Sequence, residues 1–322
     1  MALSVAEIMA RAGLGSGGEV ACTTLKGGLS HCVLRVDADG TSYVLRVLDP
    51  AVSMAGLGVP APVEIDNTAR AAITGVGPAV LYAGEDLMVL EYIDGVTLGH
   101  DDVRRPAMIP RLAAACRRLH AGPAGFAGDF SVFRKAEELF ARCREHDLPV
   151  PDGYADHLPV LAVIERAMER VPLRRVPCHN DLLPENFIDA GDAIRIVDFQ
   201  LSGMNDPAFE LGDIAAEGDY DPGRVEALAS AYFGTEMSEA LLARVRLYLL
   251  ASNVTWTLWF AIHHGLLAAK AADATFDYDA EAADKWQQAL RDLTDPGLGR
   301  LIDLAAHRGA ASPQPTPPSR RH

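Results

Sequence analysis

The N-terminal part of the chain alternates apolar and polar positions in a way that predicts a small sheet. The pattern has a period of two, is rich in β-branched residues and is interrupted by glycine-containing turns. The predicted strands cover residues 20–25, 31–37, 42–47, 79–82 and 87–92. One helix over residues 63–74 separates the third strand from the fourth and ends at a glycine–proline stop signal. We therefore expect a five-stranded antiparallel sheet with one helix.

Beyond a turn at Asp94-Gly95, the pattern becomes mainly helical, with short strands near 186–188 and 193–197. Amphipathic helices are predicted over residues 103–120, 133–145, 157–169, 209–216, 224–233, 238–267, 281–293 and 299–306. The end of the chain is rich in proline and poor in apolar residues, which predicts a disordered tail. The chain is thus an α+β protein with two predicted lobes, residues 1–94 and 95–308, and a tail over 309–322.

The amino-acid composition limits the classes of molecule that the chain is expected to bind. The 322 residues include 29 basic and 44 acidic side chains, a formal net charge of −15, and 49% are hydrophobic. Such a surface repels nucleic acid and is compatible with a cationic small-molecule substrate. Five scattered cysteines and a start without a signal-peptide pattern predict a cytoplasmic protein. Polar residues interrupt the apolar stretch 248–269, which predicts a buried helix and no membrane span. No segment indicates a protein partner.

One loop has the spacing that phosphoryl transfer from a nucleotide requires. His179, Asp181 and Asn186 match the pattern H-x-D-x-x-x-x-N, and Asp198 follows the next apolar strand. We expect Asp181 to be the catalytic base that accepts the proton of the attacking hydroxyl, while His179 braces the loop. The oxygens of Asn186 and Asp198 are hard ligands that suit Mg²⁺. The motif therefore predicts ATP and Mg²⁺ as cofactors and a protein-kinase-like fold.

The predicted sheet supplies further candidates for nucleotide binding. Gly27-Gly28 and Ser30 lie between two strands, where backbone N–H groups can approach phosphate; a plain hairpin turn is the alternative. Arg46 lies on the third strand, and Glu64 on the following helix is placed to pair with it, as in kinases. A solvent-exposed arginine at the sheet edge is the other interpretation. The backbone from Glu91 to Ile93 is expected to contact the adenine.

An aromatic stripe with i, i+3, i+4 and i+7 spacing runs along the long C-terminal helix and consists of Trp256, Trp259, Phe260 and His263. Two interpretations stay open: the stripe faces the core, or its tryptophans form a wall that attracts a substrate ammonium group. In the second case, Glu217 could supply a carboxylate, and Phe276 and Tyr278 could add a second aromatic edge.

Together these motifs resemble the choline/ethanolamine kinase family, within the wider group that includes aminoglycoside phosphotransferases. The matching segments are Gly27-Gly28-Leu29-Ser30, Glu64-Ile65-Asp66-Asn67, His179-Asn180-Asp181, Asp198-Phe199-Gln200, Phe209-Glu210-Leu211, Trp256-Thr257-Leu258-Trp259 and Phe276-Asp277-Tyr278. The resemblance implies a two-lobe, protein-kinase-like fold and transfer of the ATP γ-phosphate to a small, cationic amino alcohol. It also implies the base role of Asp181, the magnesium-ligand roles of Asn186 and Asp198, and an ammonium wall at Trp256 and Trp259.

Three positions depart from the family pattern. Gln200 and Leu201 stand where Glu and Tyr are usual, and Glu281 stands where a further tyrosine is common. These changes leave the ATP chemistry untouched. They predict a partly opened cage, with Glu281 as a substrate contact, that suits a primary amine or a bulkier substrate better than a trimethylammonium group.

Two alternatives to an amino-alcohol kinase follow from the same motifs. One is a phosphotransferase for an antibiotic or another hydroxylated metabolite; the other is a pseudokinase that binds ATP without transfer. Intact Asp181, Asn186 and Asp198 argue against the pseudokinase. A protein kinase is disfavoured, because no glycine follows Asp198-Phe199 and a helix is predicted to begin soon afterwards, near residue 209.

Overall fold

The structure, a computed structural model, describes residues 3–14, 20–25, 30–267 and 276–307. In these ranges an antiparallel sheet lobe precedes a mostly helical lobe, as the hydrophobic pattern predicts. The predicted Gly27-Gly28 turn and the predicted tail over 309–322 lie outside the described residues.

The sheet has the strand order β1-β2-β3-β5-β4, with every neighbouring pair antiparallel. Its strands are β1 (Val20–Thr24), β2 (Cys32–Ala38), β3 (Thr41–Val47), β4 (Val80–Ala83) and β5 (Leu87–Glu91). Helix α1 (Val5–Ala12) covers one face, and a short helix, α2 (Pro50–Met54), leads to α3 (Ala61–Ile73) on the other face. A tight turn at Asp39 and Gly40, both with positive φ, joins β2 to β3.

The alternation of side chains along β3 determines the face of the sheet on which Arg46 lies. Leu45 packs in the apolar cluster beside α1, whereas Val44 packs against the cluster beside α3. Successive side chains of a strand point to opposite faces, so Arg46 shares the α3 face with Val44. The strand therefore delivers a guanidinium group to the face on which Glu64 of α3 is buried.

The helical lobe surrounds a small region of short strands. Its helices are α4 (His100–Val103), α5 (Ile109–His120), α6 (Val132–Glu145), α7 (Tyr154–Arg170), α8 (Pro207–Glu217), α9 (Pro222–Phe233), α10 (Glu239–Leu266), α11 (Tyr278–Leu293) and α12 (Leu298–Ala305). Its strands are β6 (Val96–Thr97), β7 (Val176–Cys178), β8 (Phe187–Asp189), β9 (Ile194–Ile196) and β10 (Gly203–Asn205), of which β7 pairs with β10, and β8 with both β6 and β9. The single helix predicted over 103–120 is wrong: the chain leaves the helix between α4 and α5, where Pro106 cannot continue it.

Helix α10 lies at the centre of this lobe and packs against α6, α8, α11 and α12. Every residue from Ala251 to Leu258 is buried, which agrees with the prediction of a buried helix. None of the helices in the described ranges combines the length and the apolarity that a membrane span requires. The buried residues of α8 and α10 form a rigid base for the loop between β7 and β8.

Candidate active site

The loop between β7 and β8 carries the predicted base. The side-chain amide of Asn186 donates to the carbonyl of Asp181 at 2.8 Å, which folds the loop back on itself. The backbone N–H of Val197 donates to the carbonyl of Asn186 at 3.0 Å and so joins the loop to the strand that precedes Asp198. Asn180 has a φ of 69°, a left-handed conformation that asparagine tolerates better than most residues. These contacts bring Asp181, Asn186 and Asp198 into one region of the structure.

Glu210 of α8 holds the start of this loop. Its carboxylate is fully buried and accepts the backbone N–H groups of His179 at 2.8 Å and Asn180 at 2.9 Å. Burial opposes ionisation, but these bonds and the nearby rings of His120 and His179 outweigh it and hold the pKa of Glu210 below its ordinary value. An ionised carboxylate thus fixes the backbone next to Asp181. Sequence reasoning noted Glu210 only as part of a motif and assigned it no role.

His179 has both ring nitrogens committed to the backbone. Nε2 lies 2.8 Å from the carbonyl of Val197, and Nδ1 accepts the N–H of Asp181 at 3.3 Å. With Nδ1 accepting, Nε2 carries the proton and donates it to the carbonyl. Burial lowers the pKa of His179, which favours this neutral form. The arrangement matches the predicted bracing role.

Arg46 joins the sheet lobe to Asp198. Its Nε donates to Glu64 at 2.7 Å, the pair that the sequence predicts, and its Nη1 donates to Asp198 at 3.0 Å, while Nη2 donates to the second oxygen of Asp198. Burial disfavours the charge on Asp198, but Arg46 outweighs it and holds the pKa of Asp198 below its usual range. One guanidinium therefore donates hydrogen bonds to two carboxylates, the buried Glu64 and the partly buried Asp198, a geometry that lysine could not reproduce.

Gln200 completes this contact between the lobes, and His31 is buried near Arg46 in the sheet lobe. Gln200 donates from Nε2 to the carbonyl of Leu57 at 2.8 Å and to Ser30 at 3.3 Å. His31 accepts the N–H of Asp49 at 3.0 Å, and burial together with Arg46 lowers its pKa to about 4. The departure from the family pattern at Gln200 therefore lies at the contact between the lobes.

The oxygen atoms of Asn186 and Asp198 form a donor set that fits magnesium. Because the Nδ2 of Asn186 is used by the carbonyl of Asp181, its Oδ1 is the atom left to bind a cation. Each carboxylate oxygen of Asp198 accepts one N–H from Arg46 and keeps a second lone pair. Hard oxygens with spare lone pairs are the ligands that Mg²⁺ prefers.

Asp213 of α8 connects the catalytic loop to Trp256. Its carboxylate accepts the backbone N–H of Leu182 at 2.7 Å, the hydroxyl of Ser252 at 2.7 Å and the indole N–H of Trp256 at 2.9 Å. Burial, with Glu217 nearby, raises the pKa of Asp213 to about 7. Trp256 is 5% exposed, so its ring supports the loop from within the core.

The other predicted aromatic residues form a continuous stack. Trp259 is half-buried and stacks on His263 at 4.8 Å between ring centroids, and His263 stacks on Tyr278 at 5.1 Å. Phe276 lies edge-on to Tyr278 at 4.7 Å. Of the two tryptophans, Trp259 is thus the more accessible and belongs to the same cluster as Phe276 and Tyr278.

Glu217 is paired with a lysine that sequence reasoning missed. Nζ of Lys285 donates to Glu217 at 2.8 Å and to the carbonyl of Ala216 at 3.2 Å. A signal was available, since Tyr278, Glu281 and Lys285 occupy i, i+3 and i+7 positions on one face of α11. Glu281 is exposed as a whole residue, but partial desolvation of its carboxyl group raises its pKa, and the Lys285 ammonium opposes that rise.

These charges converge on Asp181. Burial raises the pKa of Asp181 well above its ordinary value, and the carboxylates of Asp213, Asp198 and Glu217 add to the rise, whereas Lys285 opposes it. A carboxylate whose proton affinity is raised is a stronger base once ionised.

The predicted adenine-binding segment begins at Glu91, whose side chain is engaged within the protein. It accepts the N–H of Ala79 at 3.0 Å and pairs with Arg195 of β9 at 2.9 Å. Ile93 is buried. The ion pair fixes the segment between the lobes and leaves its backbone as the part that could contact a base.

Comparisons with known proteins agree with this arrangement. The model of the phosphotransferase enzyme family matches residues 21–248. The LicA protein of Haemophilus influenzae is 27% identical over 267 residues, 78% of this chain and 77% of LicA. Ethanolamine kinase 2 of Rattus norvegicus is 26% identical over 226 residues, 62% of this chain and 59% of that kinase.

Among solved structures, a choline/ethanolamine kinase family protein from Mesorhizobium loti has a TM-score of 0.73 and 30% identity, over 89% of this chain and 92% of that one. The aminoglycoside phosphotransferase APH(4)-Ia shares the fold, with a TM-score of 0.57 and 18% identity, over 90% of this chain and 98% of that one. The chain therefore belongs to the phosphotransferase enzyme family, and it resembles the choline/ethanolamine kinases within that family.

Proposed function

We propose that this phosphotransferase transfers the γ-phosphate of ATP to a hydroxyl group of a small amino alcohol of the choline/ethanolamine type. The observation that carries the proposal is the convergence of Asp181, Asn186 and Asp198 beside the Arg46–Glu64 pair. These residues provide a base, oxygen ligands for a metal ion and a buried cation at the junction of the two lobes. Enzymes that transfer phosphoryl groups use all three.

Asp181 is the proposed general base. Its side chain accepts the proton of the acceptor hydroxyl as the new P–O bond forms and the bond to the leaving ADP oxygen breaks. Glu210 and Asp213 hold the backbone on either side of Asp181, at residues 179, 180 and 182. The base is therefore positioned before the substrate binds, which lowers the cost of ordering it during the reaction.

The nucleotide is proposed to bind between the lobes. Arg46, oriented by Glu64, supplies a cation for the phosphates, Ser30 and the predicted turn before it supply hydrogen-bond donors, and the backbone from Glu91 to Ile93 contacts the adenine. Asn186 and Asp198 would hold Mg²⁺, which supplies charge neutralisation for the phosphates when bound. A solved LicA structure with a TM-score of 0.68 and 19% identity contains AMP, which supports a nucleotide site in this fold.

The acceptor is proposed to lie against Trp259, Phe276 and Tyr278, with Glu281 at the rim. Aromatic faces attract an organic cation, and carboxylates add to that attraction. Trp256 contributes indirectly, because its indole N–H orients Asp213 under the catalytic loop.

The test is ADP release with ATP, Mg²⁺ and a panel of choline, ethanolamine, aminoglycosides and nucleosides, followed by mass spectrometry of the product. Asp181→Asn should remove most turnover and leave ATP binding largely intact. Turnover of aminoglycosides or nucleosides without turnover of amino alcohols would replace the proposed acceptor class. Binding of ATP without ADP release for any acceptor would favour the pseudokinase alternative.

A further inference from the structure

The side chain of Gln200 lies at the contact between the two lobes, two residues after Asp198. It is 4% exposed and contacts three separate segments of the sheet lobe. Its Nε2 donates to the carbonyl of Leu57 at 2.8 Å and lies 3.3 Å from the hydroxyl of Ser30, and its Oε1 accepts Nη2 of Arg46 at 3.5 Å. One buried amide therefore joins the segment that follows a proposed metal ligand to two proposed phosphate contacts, Ser30 and Arg46.

The backbone strengthens the same contact. The N–H of Val59 donates to the carbonyl of Gln200 at 2.8 Å, so residues 57 and 59 are both bonded to Gln200, on either side of Gly58. A Cβ atom at Gly58 would lie 3.0 Å from Cγ of Gln200 and 3.2 Å from a methyl carbon of Val52, closer than ordinary van der Waals contact. The two segments approach this closely because residue 58 has no side chain.

This interlobe joint, formed by Gln200 and residues 57–59, directly precedes α3. Helix α3 carries Glu64, whose carboxylate accepts Nε of Arg46 at 2.7 Å. Arg46 in turn donates to Asp198 at 3.0 Å, so the contacts form a ring that begins and ends in one segment of the helical lobe. In such a ring, the loss of one bond loosens the others.

The amide group is the part of Gln200 that the joint uses. The carbonyl oxygen of Leu57 can only accept a hydrogen bond, so its partner has to donate one. An ionised glutamate of the same length has no N–H to donate. Glutamine therefore fits the joint, and glutamate does not.

We infer that Gln200 is a positioning residue that holds Ser30, Arg46 and α3 in the arrangement that binds the phosphates of the nucleotide. The inference rests on the proposed function, because it takes the nucleotide to bind between the lobes. In this role Gln200 acts through the groups that it orients. Loss of its amide should therefore weaken nucleotide binding more than it slows the chemical step.

The first test is the KM for ATP of Gln200→Met, measured by ADP release with a saturating amino-alcohol acceptor. Methionine keeps the length of the side chain but has no N–H, so the KM should rise about three- to tenfold, the value of one net hydrogen bond. The kcat should change by less than about twofold. Destabilisation alone would lower the apparent kcat through the folded fraction and leave the KM unchanged. An unchanged KM for ATP overturns the inference.

Gln200→Glu identifies the part of the amide that matters. It keeps an oxygen acceptor near Arg46 but loses the donor to Leu57, so it should raise the KM for ATP at least as much as Gln200→Met. A Gln200→Glu protein with the unmodified KM would assign the effect to the contact with Arg46 and overturn the role of the joint. Gln287→Glu on the exposed face of α11 is the matched control and should leave the KM unchanged.

Gly58→Ala perturbs the joint from the sheet lobe and keeps the test valid if the variants at residue 200 do not fold. The new methyl group would push residues 57–59 away from Gln200, and the KM for ATP should again rise. Gly299→Ala in α12, where a Cβ would meet no described atom within 4 Å, is its control. A Gly58→Ala protein with the KM of this control contradicts the inference.

Nucleotide binding without an acceptor separates this inference from the proposed function. The affinity for a non-hydrolysable ATP analogue with Mg²⁺ is measured by calorimetry for each variant, in parallel with ADP release. Weaker binding by Gln200→Met, with no turnover of any amino alcohol by the unmodified protein, would support the role of Gln200 and contradict the proposed transfer. Turnover of amino alcohols, with the same nucleotide affinity in every variant, would support the transfer and overturn the role of Gln200.

Discussion

Replacement of Glu210 by glutamine tests whether a buried carboxylate holds the catalytic loop in place. Glu210 is fully buried and accepts the N–H groups of His179 and Asn180 at 2.8 and 2.9 Å. Glutamine has nearly the same shape but only one acceptor oxygen. Its NH₂ group must therefore face one of the two backbone donors, which loses its hydrogen bond and stays buried.

The expected cost follows from these two bonds. A hydrogen bond to a charged group contributes about 1.5–3 kcal/mol, and the bond that survives becomes a weaker, neutral one, so the loss in unfolding free energy is about 3 kcal/mol. For a chain of this size, that corresponds to a decrease in Tm of roughly 4–5 °C. Displacement of Asp181 should also reduce kcat by about tenfold to a hundredfold. The KM for ATP should change little, because Arg46 and Glu64 belong to the other lobe.

The measurements are thermal unfolding and ADP-release kinetics. Glu226→Gln on the exposed face of α9 is the matched control and should stay within about 0.5 kcal/mol of the unmodified protein. Glu210→Asp keeps the charge on a shorter side chain and should lose less stability than Glu210→Gln. If Glu210→Gln melts with the control and keeps its kcat, Glu210 does not position the loop and the reasoning is wrong.

Three further predictions use the same assays. Arg46→Met leaves Glu64 and Asp198 without their cation and should destabilise the protein by about 3–5 kcal/mol at neutral pH in thermal unfolding, whereas Arg46→Lys should lose less stability but raise the KM for ATP. Because the pKa of Asp181 is raised and the base acts when ionised, kcat/KM should fall as the pH decreases through a value well above that of an ordinary aspartate; an acid limb near pH 4 in the pH–rate profile would contradict this. Trp256→Phe removes the indole N–H from the buried carboxylate of Asp213 under the loop, and should lower kcat and Tm without a change in the KM for an amino-alcohol acceptor; a selective rise in that KM would instead make Trp256 a direct acceptor contact.

The sequence predicts those features that depend on residues close to one another along the chain. Strand alternation places Arg46 on the α3 face, and the spacing of His179, Asp181 and Asn186 defines the loop because these residues are consecutive or nearly so. The five-stranded sheet follows from the same period-two pattern, with strand boundaries that differ from the structure by at most one residue. The Pro106 break was foreseeable from the sequence, because proline cannot occupy the interior of a helix without cost.

What the sequence does not reveal depends on pairing between distant segments. Arg46 reaches Asp198 as well as Glu64, and Gln200 reaches Leu57, because the two lobes fold against each other. No periodic pattern of apolar and polar residues along the chain predicts such contacts. Lys285 is 68 residues from Glu217, and only its place on the face of α11 shared with Tyr278 hints at a role.

The buried charges form two groups with different consequences. Around Arg46, one guanidinium donates hydrogen bonds to two carboxylates, and this group lies on the proposed nucleotide side. Around Asp181, the carboxylates outnumber the single Lys285 ammonium, and burial raises the proton affinity of the base. A positive charge added on the acceptor side would relieve repulsion among these carboxylates. The acceptor side therefore remains favourable for a cation near Asp181 and Asp213. This arrangement agrees with the proposed cationic acceptor, whose hydroxyl would approach Asp181.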